Sequence, residues 1–134
     1  MLIEALLAIL IFSIGILAVV GMQSIAIKNV SESRYRSQAG FLVQELIGQM
    51  WTDNGNIAQY AYAGGTPPQR LQTWVPKVKS ALPGNLDPIV TVTGASAQGG
   101  VVQVQVFWQL PEEANQNPPP APHQYTVLAS IYTN

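Results

Sequence analysis

Residues 5–27 read ALLAILIFSIGILAVVGMQSIAI, and residues 28–51 read KNVSESRYRSQAGFLVQELIGQMW. No proline interrupts Met1–Trp51, so nothing there removes a helical N–H or forces a kink. Residues 5–27 carry no charge, and their polar side chains are Ser13, Gln23 and Ser24. As a helix rising about 1.5 Å per residue they cover roughly 35 Å, against about 30 Å for a bilayer hydrocarbon core. After Lys28 the pattern changes. Tyr35, Ala39, Leu42, Leu46 and Met50 recur three and four apart, and Val43 and Ile47 widen the stripe. That is the period of a helix apolar on one side. Asp53-Asn54-Gly55 then supplies a stop. The reading is one helix over residues 1–53. Residues 1–27 are apolar all round and long enough to span a membrane, and residues 28–53 are amphipathic. Any break is expected at Gly15 or Gly21, since glycine costs about 0.5–1 kcal/mol relative to alanine in a helix interior.

The remaining residues, 54–134, read as a small head. A loop with Gly64, Gly65, Pro67 and Pro68 precedes Leu71, Trp74, Val75, Val78, Ala81 and Leu82, which predict a short helix over about 70–82. Pro76 fits only within its first turn. Strand patterns follow at Ile89–Thr93, at Val101–Leu110 with Val102, Val104, Val106 and Trp108 on one face, and at Tyr125–Tyr132 with Val127, Ala129 and Ile131 in step. Between the last two strands, Pro111–Gln124 carries Pro118, Pro119, Pro120 and Pro122 and reads as an exposed polyproline-like loop. The expected fold is α+β: a long N-terminal helix whose second half packs on an antiparallel sheet within residues 89–132.

Composition narrows the function. Six Lys+Arg stand against seven Asp+Glu, without the clustered cations that phosphate contacts need, so no nucleic-acid site is expected. With no cysteine in the chain, disulfides and thiolate metal sites are ruled out. His123, the one histidine, lies in the Pro-rich loop and reads as a solvated residue. Glu112 and Glu113 read as solubilising acids, and Trp51, Trp74 and Trp108 as core packing rather than a ligand platform. Gly64-Gly65 and Gly99-Gly100 read as turn glycines, without the lysine or strand–helix context of a phosphate loop. No catalytic constellation, metal site or cofactor site is evident, and the reading is of a non-enzyme.

The acid at the head of the apolar run is the feature that needs explaining. Secretory signal peptides place positive charge before a 7–15-residue apolar core, whereas here the first charge is Glu4 and the run is longer. A carboxylate in a membrane costs about 2.5–3.5 kcal/mol at mid-bilayer on insertion scales. Two readings stay open. Glu4 sits at an interface and complements the helix dipole, worth about 0.3–1 kcal/mol, or it pairs with a positive group on a neighbouring copy.

Residues 2–23, LIEALLAILIFSIGILAVVGMQ, resemble the mature N-terminus of type IV pilins, most closely the minor pilins of the PilV type. A weaker likeness continues through residues 44–51, 71–84 and the valine-rich strand ending in Trp108. The resemblance implies a short basic leader ending in glycine, removed by a prepilin peptidase, followed by N-methylation. Glu4 matches the family's glutamate, which pairs with the N-terminal amine of the adjacent subunit and sets axial register. By the same resemblance Leu2, Ile3, Leu6, Leu7, Ile9, Leu10, Ile14 and Leu17 pack the filament core, and Gly15 and Gly21 allow the helix to melt locally. Met1 falls on the family's second position, and the family's late helix-breaking proline and C-terminal disulfide are missing. A removed basic leader would leave Lys28, Arg34 and Arg36 on the periplasmic side. The expected function is thus a structural subunit of a pilus-like filament. It is held in the inner membrane before assembly and extracellular afterwards, and its partners are other pilin subunits and the assembly machinery. A type II secretion pseudopilin and a single-span anchor for a periplasmic binding module are the alternatives.

Overall fold

The computed structural model describes residues 1–132. Helix α1 runs unbroken over Leu2–Thr52, through both Gly15 and Gly21, so neither glycine breaks it. Short 3-10 turns at Asn54–Tyr60 and Gln69–Leu71 lead to α2, Trp74–Ala81. Strands β1 (Ile89–Ser96), β2 (Gly99–Trp108) and β3 (His123–Tyr132) form one antiparallel sheet in the order β1-β2-β3, and the single turn α3, Pro111–Ala114, follows β2. The fold is α+β, with a long helix on a small three-stranded sheet. Two compact units divide it, the first ending at Arg34 and the second beginning at Tyr35.

The second unit is built around the helical stripe read from the sequence. Ala39, Leu42, Val43, Leu46, Ile47 and Met50 are all buried, and Tyr35 packs at the edge. They meet Trp74, Val75, Val78 and Leu82 from the α2 segment and the alternate residues Val102, Val104, Val106 and Trp108 of β2. The period of 3.6 in one element meets the period of 2 in the other, as the side-chain geometry of each demands. The indole N–H of Trp74 donates to the Leu42 carbonyl at 2.8 Å. This ties α2 to α1 inside the core, where an unpaired polar group would cost about 1–3 kcal/mol. Pro76 is the third residue of α2, where its missing N–H has no intrahelical acceptor to lose.

Asp53 does more than stop the helix. Its carboxylate accepts from Asn56 at 2.7 Å and from the Tyr60 hydroxyl at 3.0 Å, and it forms an ion pair with Arg70, which also lies over the Tyr60 ring. Burial, offset in part by a hydrogen bond with Gln49, raises the Tyr60 pKa, keeping the phenol protonated as the donor. Farther along, Asp87 accepts from Lys79 and from the Tyr62 hydroxyl, both at 3.0 Å. Those bonds, Lys79 first, hold its pKa below the ordinary 3.8.

The sequence-read strands are present with longer bounds. Strand β1 extends from the expected Thr93 to Ser96 through a bulge at Thr93/Ser96 that uses Gly94 at φ 65°. Gly99-Gly100 opens β2 instead of lying in a turn, and both residues are buried. A Cβ on Gly99 would overlap the Ile131 carbonyl oxygen, so the close approach of β3 excludes any larger residue there. Trp51 is 49 % exposed and is not a core residue. Its position faces away from the sheet, one residue out of step with Met50.

Leu46 is fully buried between α1 and the sheet. Its substitution by alanine should cost about 2–5 kcal/mol of stability, read as a lower denaturant midpoint for a fragment beginning at Asn29. The unsubstituted fragment should remain soluble and unfold cooperatively. Because the Asp87 pKa is depressed in the fold, its contribution is present above the unfolded carboxylate pKa and is lost as pH falls through the folded value. Thermal melts below about pH 4 should therefore show a steeper acid loss for the wild type than for Asp87→Asn.

Candidate assembly helix

In the first unit no residue from Met1 to Val30 is buried. The exposures of Leu2, Ile3, Leu6, Leu7, Ile9, Leu10, Ile14 and Leu17 run from 55 % at Leu7 to 81 % at Ile3. At 3.6 residues per turn these side chains fall on one half of the helix, so α1 presents them side by side as a face. The packing residues singled out from the sequence leave out the other half, where Ile11, Phe12, Ile16 and Val19 are also exposed and frame a shallow hollow at Gly15. The signal was present: the run is apolar at every angle. A Cβ on Gly15 or Gly21 would meet nothing within 4 Å, so neither glycine is required by packing within the chain.

The polar groups of this stretch are mostly satisfied locally. The Ser13 hydroxyl donates to the Ile9 carbonyl at 2.7 Å, and Ser24 to Val20 at 3.4 Å. This back-bonding inside the helix leaves little hydroxyl to solvate. Glu4 occupies the first turn of α1, where the unpaired N–H groups give the helix its positive end. Between Glu4 and Lys28 no other charge interrupts the surface. By length and composition α1 can cross a membrane.

Elsewhere the sequence candidates resolve differently. His123 is not a loop residue: it opens β3, stacks on the Trp108 indole at 5.7 Å between centroids, and bonds through Nε2 to both Glu113 oxygens at 3.1 and 3.2 Å. Glu113 also accepts the Leu110 N–H at 3.3 Å, so it is structural and not merely solubilising. Together these contacts fasten the two ends of the proline-rich connection. Of the expected loop Pro111–Gln124, residues 115–122 are exposed, while Pro111–Ala114 form α3 and His123 and Gln124 begin β3. Trp74 and Trp108 are core residues. A cleft of about 450 Å³ beside Tyr62, Val75, Pro76 and Lys79 has its main charges, Lys79 and Asp87, paired with each other. No cluster of three His, Cys, Asp or Glu side chains occurs among the described residues.

No protein-family model, curated protein or solved structure matches the chain.

Since residues 1–34 form a unit of their own, a charge placed in them should disturb insertion and spare the head. Leu10→Arg adds about 2.5–3.5 kcal/mol to the insertion cost at mid-bilayer. Carbonate extraction of membranes should release far more of this variant than of wild type, while the head's melting temperature stays unchanged.

Proposed function

We propose that this chain is a structural subunit of a type IV pilus or pilus-like filament. Its apolar N-terminal segment holds it in the inner membrane, with the head on the periplasmic side. On extraction by the assembly machinery, that segment packs among like helices at the centre of an extracellular fibre. One observation carries the reading: the helix that enters the core of the head extends, without a break, back through Val30 to Leu2, a stretch that the described residues leave uncovered. An ordinary soluble domain rarely exposes so large an apolar surface, which needs lipid, partner helices or both. A simple anchor needs the apolar length and uses Glu4 only to complement the helix dipole, whereas a filament also gives the carboxylate a partner.

Inside a helical bundle an unpaired carboxylate costs several kcal/mol. In this reading Glu4 meets the α-amino group of the next subunit, which offers a partner at one axial offset. Replacing the acid removes both the cost and the register signal.

The expected outcome is a separation of two steps. Glu4→Leu should insert into membrane normally yet be depleted from sheared filaments, with Glu4→Gln equally or less impaired. Quantifying the subunit in the sheared and membrane fractions tests this. Normal incorporation of Glu4→Leu would leave the residue as a dipole-complementing interface group and remove the register role.

A further inference from the structure

The connection between β2 and β3 carries the densest proline run of the chain. Residues 114–122 read ANQNPPPAP, without a charged side chain, and residues 115–122 are exposed and lie outside any helix or strand. Proline holds its own φ near about −65° and drives the residue before it toward extended backbone. Pro118, Pro119 and Ala121 each precede a proline, so the run favours a polyproline helix, with three residues per turn and no internal hydrogen bonds. At that period Pro119 and Pro122 share one edge.

The fold holds this run in a fixed place. The side-chain amide of Gln109 donates to the Pro120 carbonyl at 3.0 Å. Directly after the run, His123 stacks on Trp108 and bonds to Glu113 of α3 at 3.1 Å. Trp108 is a core residue, so the clasp is anchored in the packed part of the head. These ties fall on Pro120 and His123. On a helix of three residues per turn, Pro119 and Pro122 lie on a different edge from that pair, and both are exposed.

We propose that residues 119–122, held out by the tethers at Gln109 and His123, are a docking site for a protein groove lined by tryptophan and tyrosine rings. The chemistry of the run selects this occupant. A proline presents a ring and a carbonyl but no N–H, so its backbone can accept hydrogen bonds and cannot donate them. A partner must bring flat apolar surface for the rings and donors for the carbonyls, and an indole or a phenol brings both. With no charge in residues 114–122, neither a nucleic acid nor an anionic lipid surface finds a counter-charge in the run. A polyproline segment already tethered has also lost much of the freedom that docking would otherwise cost. The site is independent of the filament reading.

The test titrates an isotope-labelled WW domain, a module whose groove is aromatic, with the full-length chain in detergent micelles. Empty micelles are the blank. The expected result is a saturable shift confined to the signals of the groove. Pro119→Ala combined with Pro122→Ala should weaken binding at least about tenfold, whereas Gln116→Ala should leave it unchanged, with the melting temperature of the head the same in both. A synthetic peptide of residues 114–124, the run without its tethers, should bind several-fold more weakly than the chain. No saturable shift, a shift that survives the double alanine substitution, or a peptide that binds as tightly as the chain each overturns the proposal. So does self-association of the chain that the double substitution abolishes, which would make a second copy the occupant.

Discussion

The uncovered apolar surface of residues 1–30 constrains everything else in this protein. A helix of that composition is stable in water only if something other than water covers it, and the described residues supply no cover. The same helix nevertheless buries Ala39, Val43, Leu46 and Met50 completely. One continuous backbone thus meets two environments, and the sequence changes from all-round to one-sided hydrophobicity near Lys28. The covalent continuity of α1 means that a load on the first segment passes along the helix backbone to the residues that form the core of the head. With no disulfide possible, the head is held together by its packing and by polar ties within it.

Polar ties reinforce the packing where irregular backbone would otherwise be weakest. Asp53 gathers Asn56, Tyr60 and Arg70 at the point where α1 ends. Asp87 gathers Lys79 and Tyr62, and Glu113 gathers Leu110 and His123. Each carboxylate accepts from partners on different segments, replacing a run of regular secondary structure with a single multidentate acceptor. Charge-assisted hydrogen bonds of this kind are stronger than neutral ones. The exposed pair Lys77–Glu45, at 2.6 Å, contributes little because water screens it.

Most of the fold was legible because periodicity is a local property. The stripe from Tyr35 to Met50, the short helix around Trp74–Ala81 and the alternation in β2 each follow from side-chain spacing within one element. What stayed hidden depends on residues far apart in sequence. Asp53 reads as a turn former, and nothing near it announces Arg70. His123 reads as a loop residue because its partners Trp108 and Glu113 become neighbours only when β3 returns to β2. Trp51 reads as a core residue by type, and its angle on the helix leaves it exposed. The assembly helix was legible in a different sense. The charge gap between Glu4 and Lys28 marks the segment, and the partner proposed for Glu4 belongs to a neighbouring subunit.

The need for such a partner has a physical basis. Apolar contact is non-directional and roughly proportional to area, so two helices apolar at every angle can slide or rotate against one another with little change in free energy. Such surfaces give association without register. A charge pair behaves oppositely, because its energy falls with distance and rises sharply where water is excluded. In the proposed filament the many side chains from Leu2 to Ile27 would supply the attraction, and the single carboxylate of Glu4 would choose one offset among many near-equal ones. A second acid in the run would offer a second offset and blur the choice. In that reading, the absence of any other charged side chain between Glu4 and Lys28 is as much a part of the signal as Glu4 itself.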